Sequence, residues 1–510
     1  MQLQMMNSQF SKMNSFDFLV VGSGFAGSIT AMCLKQKGYS VSIIEKDKHP
    51  RFSVGESSTP IADMILRGLS DRYNLPFLKN ISRYGTWQTH YPELVCGLKR
   101  GFSYYFHQRG MAFTSDQNHE NELLVAASFD DENSDTNWLR SDVDQFLVQK
   151  AIELGVEYFG EAEINSVVRQ QDKTWSVRFQ KNGEQKRIAT NWIIDATGSP
   201  GFSGRFFGTK SSSDDFLTNT SAVYSHFADG GRWFNYLQNK GFFTGDYPYN
   251  PDDSALHQII EEGWVWMLRF NNDLLSAGIV SDNNTHQAGN MPAEHWRSVI
   301  SKYPSLNQLF KNVRLADEPG TLIRSGRLQR KLDRSHGDGW LALSHTFGFV
   351  DPLHSTGIAF SLAGVERILA LFEGKSDQST IRNKLKLNHD ILYKELQLID
   401  MIVSISYLSR FNFKLFSASV MLYFIASIRY EQSRLMGVIP ESFLCAGDSD
   451  LFSVVDETHY ELQNLQNKNT SSVQIDRQIE TIRKRIEPFN HVGLMDPAKR
   501  NMYRHTAVEF

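Results

Sequence analysis

The stretch from Phe16 to Glu45 constrains the fold of this chain more than any other. It reads as a buried strand, the turn Gly22-Ser-Gly24-Phe-Ala-Gly27, a helix, and a second strand that ends in Glu45. In this pattern the first glycine allows a tight turn, the second lets a pyrophosphate approach the backbone, and the third lets the helix pack on the strand. An acid at the end of the second strand is placed to meet a ribose hydroxyl. The stretch therefore predicts a Rossmann-like dinucleotide-binding domain.

The composition describes an ordinary globular protein with room for more than one lobe. A chain of 510 residues exceeds one compact core, so two or three lobes are expected. Hydrophobic content of 41%, charged content of 22% and a net charge of −4 argue against a disordered or nucleic-acid-binding chain. Three cysteines, Cys33, Cys96 and Cys445, lie far apart without metal-binding spacing. They predict a reducing, cytoplasmic location and no metal site.

The sequence predicts no targeting signal and no membrane span. Residues 1–15 are polar and methionine-rich, lack the apolar core of a signal peptide, and are expected to form a disordered tail. The most hydrophobic stretch, from Leu415 to Ile428, holds only 14 residues, whereas a bilayer span needs roughly 20. A buried helix is expected there, with membrane contact as the alternative.

Two segments after Glu45 hold candidate functional residues. The turn Val54-Gly55-Glu56-Ser57 is rich in small residues that let a flat ligand approach, and it precedes a helix that begins at Pro60. A strand dense in aromatic residues is predicted from Gly97 to Phe106, and it carries Lys99. On pattern alone, a lysine among aromatics usually extends its amine into solvent. The polar, acidic residues 115–137 that follow are predicted to form a mobile loop or lid.

Later segments return the chain to the dinucleotide domain. An apolar strand ends in Asp195-Ala-Thr-Gly198, and a segment from Gly348 to Gly357 precedes a long helix that runs from Ile358. Backbone amides at that helix start predict an anion site or a flavin contact. These contacts, added to the Gly22 turn, favour FAD over NAD as the dinucleotide.

The Gly22 turn with Glu45, the strand that ends in Asp195-Ala-Thr-Gly198 and the segment from Gly348 to Gly357 together resemble the FAD-binding flavoprotein monooxygenase fold. In that fold an inserted sheet covers the isoalloxazine ring. Within that superfamily the chain resembles the flavin-dependent halogenases. Val54-Gly-Glu-Ser57 matches the turn after the ribose acid, Leu98-Lys-Arg-Gly-Phe102 the strand with the active-site lysine, and Val350-Asp-Pro-Leu-His-Ser-Thr-Gly357 the halide and flavin segment. The resemblance runs from Phe16 to about Glu373.

This resemblance implies an α/β architecture with a Rossmann-like FAD-binding domain, an inserted mixed β-sheet that binds substrate, and a helical C-terminal region. The expected segments are the tail at 1–15, the first part of the FAD-binding domain at 16–210 with strands of the substrate sheet around 97–113, the inserted sheet at 211–319, the second part of the FAD-binding domain at 320–375, and the helical region at 376–510.

The resemblance also implies the cofactors and the residues that hold them. FAD would arrive in reduced form from a separate flavin reductase, because no second nucleotide fingerprint follows the first. Chloride or bromide would bind at Ser355, Thr356 and Gly357, with no metal. The implied FAD-binding residues are Gly22, Gly24, Phe25, Ala26, Gly27, Glu45, Lys46, Gly55, Glu56, Ser57, Asp195, Gly198, Gly348, Asp351, Gly357 and Ile358.

In the family chemistry, reduced FAD, oxygen and halide give hypohalous acid. An active-site lysine then directs it to an arene, either as a chloramine or by a hydrogen bond that makes the halogen more electrophilic. Lys99 matches that lysine, and arginine would not replace it because a guanidinium effectively never loses its proton. Trp264 and Trp266 resemble the partition between flavin and substrate, with core packing as the alternative. His354 is a candidate general base, a residue that holds Lys99, or a hydrogen-bonded pocket histidine.

The chain also departs from the family pattern. Leu268-Arg269 replaces the Ile-Pro of the tryptophan signature, and Ser344-His345 replaces Gly-Asp or Gly-Asn. His354 stands where tryptophan halogenases carry a glutamate. These differences favour a phenol, resorcinol or pyrrole of secondary metabolism, free or bound to a carrier protein, over free tryptophan.

Two other functions fit the same residues. A flavoprotein hydroxylase or a geranylgeranyl-reductase-like oxidoreductase of the same fold would make Lys99 and the partial tryptophan signature accidental. A degenerate flavin-binding protein would explain the departures as lost activity. The halogen content of the product and oxygen consumption by the reduced protein separate these alternatives from a halogenase.

Overall fold

The computed structural model describes residues 14–286, 291–374, 378–466, 470–504 and 506. The tail predicted at 1–15 lies outside these residues, except for Asn14 and Ser15, which begin the first strand.

The strands are β1 (Asn14–Val21), β2 (Val41–Ile44), β3 (Cys96–Lys99), β4 (Gly101–Phe106), β5 (Glu122–Ala126), β6 (Asp135–Trp138), β7 (Glu157–Phe159), β8 (Ala162–Arg169), β9 (Trp175–Lys181), β10 (Glu184–Asp195), β11 (Ser211–Ser212), β12 (Thr220–Ala228), β13 (Ala255–Ile260), β14 (Gly263–Arg269), β15 (Leu275–Asp282), β16 (Arg314–Leu315), β17 (Ile323–Arg327), β18 (Arg330–Leu332), β19 (His336–Gly337), β20 (Trp340–Ala342), β21 (Gly348–Phe349) and β22 (Met502–Tyr503).

The α-helices are α1 (Phe25–Gln36), α2 (Pro60–Tyr73), α3 (Pro76–Asn80), α4 (Tyr84–His90), α5 (Arg140–Glu153), α6 (Gly201–Phe207), α7 (Trp233–Asn239), α8 (Pro292–Ile300), α9 (Pro304–Leu309), α10 (Ser344–Phe347), α11 (Thr356–Leu371), α12 (Gln378–Ser409), α13 (Phe413–Leu435), α14 (Ser449–Gln466) and α15 (Ser472–Ile486).

The Rossmann-like sheet contains a parallel core in the order β20-β10-β1-β2-β7. The last four residues of β1, all of β2 and the last three residues of β10 are buried, as expected for the centre of a parallel sheet. Val21, the last residue of β1, pairs with Asp195 on one side and Ile44 on the other. The carboxyl ends of β1, β2 and β10 therefore lie at one edge, which is where parallel α/β sheets bind ligands.

A second, mixed sheet runs in the order β16-β12-β15-β14-β13-β4-β5-β22, with β17 also on β12. Its strand β14 carries Trp264 and Trp266, as the sequence predicts. Together with the Rossmann-like sheet and the helical C-terminal region, it gives the α/β architecture expected from the sequence. The division of the chain into domains at residues 210, 319 and 375 stays a prediction.

The region around Lys99 differs from the sequence-based expectation. Residues 97–106 form two strands in two sheets, which are separated at Arg100. The guanidinium of Arg100 donates to the Asp131 carboxylate and to the Phe129 carbonyl oxygen. Strand β3 pairs with β6 in a separate two-stranded ribbon. The predicted loop at 115–137 likewise contains the strands β5 and β6, and every residue of both strands is buried. The prediction of a lid there is therefore wrong for these residues.

The C-terminal region is mainly helical, as predicted, although the short strand β22 returns to the mixed sheet beside β5. Helix α13 contains the hydrophobic stretch from Leu415 to Ile428, and every one of those residues is buried in the protein. None of the helices in the described parts of the chain combines the length and apolarity needed to cross a membrane.

Candidate active site

A cavity of about 920 Å³ opens at the carboxyl edge of the parallel strands. Its wall runs from the Gly22 turn past the mixed sheet to the start of α11. The Gly22 turn, the turn at Gly198 and the segment that leads into α11 therefore all contribute to one cavity. The predicted residues on this wall are Gly22, Gly24, Phe25, Ala26, Glu45, Lys46, Gly55, Glu56, Ser57, Gly198, Trp264, Trp266, Ser355, Gly357 and Ile358.

The glycine turn closes tightly around the start of α1. Gly22 has a φ of +98°, and a side chain there would reach within 2.7 Å of the Ala196 carbonyl oxygen. A Cβ on Gly27 would lie 2.2 Å from the Gly22 carbonyl oxygen. Both positions therefore require glycine, which is the role that a dinucleotide-binding turn predicts for them.

Glu45, which directly follows β2, lies beside the glycine turn at Gly22. Glu45 is buried and accepts hydrogen bonds from the Ser23 backbone at 2.8 Å and the Asp47 backbone at 3.0 Å. Burial opposes ionisation of Glu45, but these hydrogen bonds and the nearby Arg51 lower its pKa overall. Glu45 is thus held as an ionised acceptor on the cavity wall.

Arg51 and Arg140 approach the start of α1 at Gly24. The position of a Cβ on Gly24 lies 3.5 Å from Arg140 Nη2 and 3.8 Å from Arg51 Nη2. Arg140 is fixed by Asp144, at 2.9 and 3.0 Å, whereas Arg51 Nε is buried without a hydrogen-bond partner among the described residues. A free buried guanidinium donor beside a helix N-terminus suits a diphosphate. The residues present therefore fit a dinucleotide such as FAD.

The start of α11 forms another part of the wall. Ser355 precedes the helix in the left-handed conformation, with a φ of +52°. A Cβ on Gly357 would meet no atom within 4 Å, so the first turn of this helix faces open space. Thr356 is buried beside them and does not line the cavity. This geometry can hold an anion at the backbone amides of a helix start.

Four of the predicted FAD residues lie behind the cavity wall: Gly27, Asp195, Gly348 and Asp351. Gly27 packs the helix on its strand, and a Cβ on Gly348 would meet Leu396 at 2.3 Å. Asp195 accepts hydrogen bonds from Thr197 and from Ser203 at 2.5 Å. These residues support the turns that form the wall. Their positions behind it do not favour direct contact with FAD.

Asp351 also turns away from the cavity. Its Oδ1 accepts a hydrogen bond from the Leu353 backbone at 3.0 Å, and its Oδ2 accepts one from Thr220 at 2.7 Å. Burial raises the pKa of the Asp351 carboxyl to about 6. Asp351 therefore joins the α11 segment to the mixed sheet.

The two tryptophans of β14 stand on the cavity wall with their ring centroids 6.1 Å apart. Trp264 is buried and donates its indole hydrogen to Tyr407 Oη at 2.9 Å. Trp266 donates to Ser276 Oγ at 3.1 Å. Both rings are held in place, which suits a fixed partition beside the cavity.

Lys99 is completely buried, so the expectation that its amine reaches solvent is wrong. Its Nζ donates to the Ser58 carbonyl oxygen and lies 4.1 Å from the centre of the Phe102 ring. Burial lowers the pKa of Lys99 to about 8, although the nearby Asp135 carboxylate favours the charged form. Lys99 is therefore a cation that loses its proton unusually easily.

Strand β6 supplies residues that the sequence analysis missed. Asp135 is directly opposite Lys99 in the β3–β6 pair, and Asn137 is opposite Gly97. Burial raises the pKa of Asp135 to about 7, with Lys99 acting in the opposite direction. Asp135 Oδ2 and both amide atoms of Asn137 are buried without a hydrogen-bond partner in the described part of the chain.

His354 is buried behind the cavity and packs on the C-terminal helices. Its Nε2 lies 3.1 Å from Ser406 Oγ, and its ring stacks on Tyr423 at 4.8 Å. Two effects lower the pKa of His354 to about 3: burial, which is the larger, and the neighbouring His257. The hydrogen bond to Ser406 fits the interpretation as a pocket histidine, whereas a pKa this low makes His354 a weak base.

The departures from the family motif have local explanations. Arg269 is buried and binds Asp252 at 3.2 Å and the Gly230 carbonyl oxygen at 3.0 Å. Asp252 in turn accepts hydrogen bonds from the first amides of α7. Arg269 therefore ties β14 to a neighbouring helix.

Comparison with protein families matches residues 17–211 to the FAD-dependent oxidoreductase model and residues 139–408 to the tryptophan halogenase model. The second match covers more than half of the 510 residues. The chain belongs to the tryptophan halogenase family. This halogenase is a flavin-dependent oxidoreductase with FAD as its cofactor and a halide as its co-substrate.

Individual relatives agree with this assignment. The halogenase is 26% identical over 426 residues to the monodechloroaminopyrrolnitrin halogenase of Pseudomonas fluorescens. The aligned segment covers 81% of this chain and 72% of the relative. It is 24% identical over 358 residues to the tetracycline 7-halogenase of Kitasatospora aureofaciens, of which it spans 61%. That match covers 68% of this chain.

Among solved structures, the crystal structure of halogenase PltM superposes on the halogenase with a TM-score of 0.83. The match covers 96% of this chain and 99% of PltM, at 22% sequence identity. It establishes that the two proteins share a fold, including the helical C-terminal region that carried few sequence motifs.

Proposed function

We propose that the enzyme halogenates an electron-rich aromatic of the phenol, resorcinol or pyrrole type, through hypohalous acid and Lys99. Membership of the family supports halogenation over hydroxylation or saturation. The relatives are named for monodechloroaminopyrrolnitrin and tetracycline, and PltM has been crystallised with phloroglucinol and FAD. His354, in place of a glutamate, supports an arene other than free tryptophan.

The observation that carries this proposal is the environment of Lys99. The side chain is completely buried beside Phe102, and burial brings its pKa down to about 8. A structural lysine rarely occupies such a place, because burying an ammonium without a paired carboxylate is unfavourable. An amine that loses its proton near neutral pH is instead suited to nucleophilic chemistry.

Reduced FAD, when bound, would supply two of the four electrons that oxygen accepts, and the halide would supply the other two as it becomes hypohalous acid. The overall balance is arene–H + X⁻ + O₂ + FADH₂ + H⁺ → arene–X + FAD + 2 H₂O. The neutral Lys99 amine then takes the halogen from hypohalous acid: Lys–NH₂ + HOX → Lys–NHX + H₂O. Transfer to the ring returns the amine: Lys–NHX + arene–H → Lys–NH₂ + arene–X.

Other residues on and beside the cavity wall hold the halide and FAD in separate places and divide the flavin from the arene. The backbone amides at Thr356 and Gly357 hold the halide at the positive end of α11, with Ser355 beside them. Trp264 and Trp266 separate the flavin-binding cavity from the arene. The FAD itself is held by the glycine turn and Glu45, with Arg51 and Arg140 on the diphosphate.

A separate flavin reductase supplies the reduced FAD in this proposal. The substrate is a small aromatic molecule, free or carried on a partner protein, and the reaction takes place in the cytoplasm without nucleic acid or membrane. The glycine turn at Gly22 is the one strand–turn–helix of dinucleotide type that we identify in the sequence.

Substitution of Lys99 tests the proposal. Lys99→Ala should abolish arene halogenation but leave FAD binding and oxidation of reduced FAD by oxygen nearly unchanged. Lys99→Arg should fail almost as completely, because it keeps the charge without a neutral amine. Lys240 is a suitable control, since its amine also lies over an aromatic ring, Tyr236 at 5.6 Å, but is exposed.

Halogenated product and flavin reoxidation are measured side by side, with resorcinol, phenol and pyrrole-2-carboxylate as probes and chloride or bromide as halide. Halogenation retained in Lys99→Ala would remove this residue from the mechanism. A hydroxylated product without halogen from the wild-type enzyme would instead support the hydroxylase alternative. Failure of the photoreduced protein to consume oxygen would support a degenerate flavin-binding protein.

A further inference from the structure

We propose that Asp135 and Asn137 form the subsite that takes the hydroxyl group of a phenolic substrate, with Asp135 as the proton acceptor. This inference rests on the function proposed above and names its substrate class more narrowly. It assigns the role of general base to a residue on β6 in place of His354.

The first support is the position of the two side chains relative to Lys99. Directly opposed residues of an antiparallel pair point to the same face, and so do residues two apart on one strand. Asp135 is opposite Lys99 and Asn137 is two residues further along β6. All three side chains therefore lie on one face of the β3–β6 ribbon.

The second support is their unmet hydrogen-bonding capacity. Asn137 is 0% exposed, and both its amide nitrogen and its amide oxygen lack a partner within the described residues. The same holds for Asp135 Oδ2 and for the buried hydroxyls of Ser57 and Thr59. Buried polar atoms without partners are rare in folded proteins. Their presence in one place indicates a ligand that both donates and accepts hydrogen bonds.

The backbone ties these groups into one unit. Ser58 exchanges hydrogen bonds of 3.1 Å with Thr136, through its backbone amide and its hydroxyl, and its carbonyl oxygen accepts from Lys99. Ser57 also forms a bridge with Asn137 and stands on the wall of the large cavity. The subsite thus lies between the FAD-binding cavity and the lysine.

The chemistry of the subsite favours a phenolic hydroxyl. Such a group donates to a carboxylate and accepts from an amide, whereas a pyrrole N–H only donates. The proton passes from the hydroxyl to the carboxylate: arene–OH + Asp135–COO⁻ → arene–O⁻ + Asp135–COOH. The resulting phenolate is the more electron-rich ring for attack on the halogen. Because burial places the pKa of Asp135 near 7, it is better matched to this step than His354.

Other ionisable groups around Asp135 are accounted for. Lys99 faces it from β3 and Asp63 from α2, while Arg83 acts from the segment before α4. Glu431 faces it from α13, and burial raises the pKa of Glu431 well above its usual range. Asp63 is engaged by Ser82 at 2.6 Å and by Arg83 at 3.0 Å. Tyr423 faces Asp135 from α13 as well. Arg83 pairs with Asp63 instead, and neither Arg83 nor Lys99 forms a direct ion pair with Asp135 within the described residues.

The binding role is tested by calorimetry on the FAD-loaded enzyme, with resorcinol and with 1,3-difluorobenzene, which is similar in size but donates no hydrogen bond. We expect the wild type to bind resorcinol at least about tenfold more tightly. Asn137→Leu should erase that preference. Glu132→Gln, in the exposed loop just before β6, is the control and should leave it unchanged.

The catalytic role is tested by the halogenation rate. Asp135→Asn should lower kcat for resorcinol by about 100-fold, the usual contribution of a general base, with little change in KM. For a nitrophenol that is already ionised at the assay pH, the loss should shrink to within about threefold, because no base is needed. A purely structural role for Asp135 would lower both rates alike.

Several results would overturn the inference. One is resorcinol halogenation by Asp135→Asn within about twofold of the wild-type rate, and another is an unchanged hydroxyl preference in Asn137→Leu. Asp135→Ser is measured alongside, with FAD binding as the check on folding. If the wild type makes no halogenated product from any phenol, the proposed function and the base role both fall. Calorimetry still decides whether the hydroxyl subsite exists.

Discussion

Trp264 donates its indole hydrogen to the hydroxyl of Tyr407 at 2.9 Å, and this bond joins the mixed sheet to the C-terminal helix α12. Tyr407 also lies 3.4 Å from the Asp351 carboxylate, in the segment that leads into α11. A residue near the end of the segment that matches the halogenase model thus connects the tryptophan of the family signature to the proposed halide segment.

The Tyr407 hydroxyl is expected to stabilise the fold through this connection. Tyr407→Phe leaves the buried Trp264 N–H without its acceptor, which should lower the free energy of unfolding by about 1–3 kcal/mol. Tyr460→Phe is the matched control, because Tyr460 is 67% exposed. Urea unfolding of the FAD-free proteins measures both. Equal stability of the two variants would show that the bond contributes nothing.

The glycine turn should be intolerant of a single methyl group. Gly27→Ala places a Cβ 2.2 Å from the Gly22 carbonyl oxygen, so α1 must move away from the turn and FAD binding should be lost. In Gly204→Ala, on α6, the nearest contact is an ordinary 3.5 Å. Flavin fluorescence after denaturation of the purified proteins reports bound FAD. Normal FAD content in Gly27→Ala would contradict the proposed binding mode.

Gly357 should respond in the opposite way. Since a Cβ there meets no atom within 4 Å, Gly357→Ala should fold normally and bind FAD, with stability equal to or about 0.5–1 kcal/mol above that of the wild type. The added methyl group points into the space where the halide is proposed to bind. We therefore expect a raised KM for halide, measured by bromination rate against bromide concentration. An unchanged KM would place the halide elsewhere.

The Asp135 carboxyl should make stability depend on pH. Its pKa is raised on folding, from 3.8 to about 7, so the folded protein holds the extra proton in this window. Stability from this group is full below about pH 4 and is lost as the pH rises through 7. Asp135→Asn, which stays neutral, should gain stability relative to the wild type as the pH is raised from 4 to 8.

Urea midpoints at several pH values measure this gain, with Glu132→Gln as the control. A difference between Asp135→Asn and the wild type that is the same at pH 4 and pH 8 would mean that Asp135 titrates normally. The experiment needs no substrate or cofactor, so it stands apart from the activity assays.

The purified enzyme should not oxidise NADH rapidly by itself. Halogenation should appear only when a flavin reductase is added or when FAD is reduced by light. Absorbance at 340 nm, followed with and without the reductase, is the measurement. Rapid NADH loss with the halogenase alone would end the proposal of a separate reductase.

Local sequence patterns predict those parts of the cavity wall that come from short continuous segments. The Gly22 turn, Glu45 and the start of α11 came from local patterns whose geometry is set by neighbouring residues. Pro60 begins α2 and Trp264 lies on β14, both as predicted.

The sequence was insufficient where a site is assembled from distant segments. Strand β6 lies within an acid-rich stretch, whose composition predicts a loop. The β-forming residues Thr136 and Trp138, just before helix α5, are the signal that could reveal this strand. Ser406 and Tyr407 contact the site only through the packing of long helices, which no local pattern encodes. The burial of Lys99 likewise depends on Phe102 and on α13, which is remote in sequence.

Helix α13 lies over Lys99 through Phe102, whose ring meets Tyr423 and Phe424 edge-on at 5.6 and 5.4 Å. The side chains that pack on Phe102 beside Lys99 thus come from a different part of the chain than those proposed to bind FAD. Directed evolution of substrate range can therefore concentrate on one face of one helix, with the oxidative machinery left untouched. A library at Tyr423 and Phe424 would vary which rings are accepted while every member still draws on the same supply of hypohalous acid.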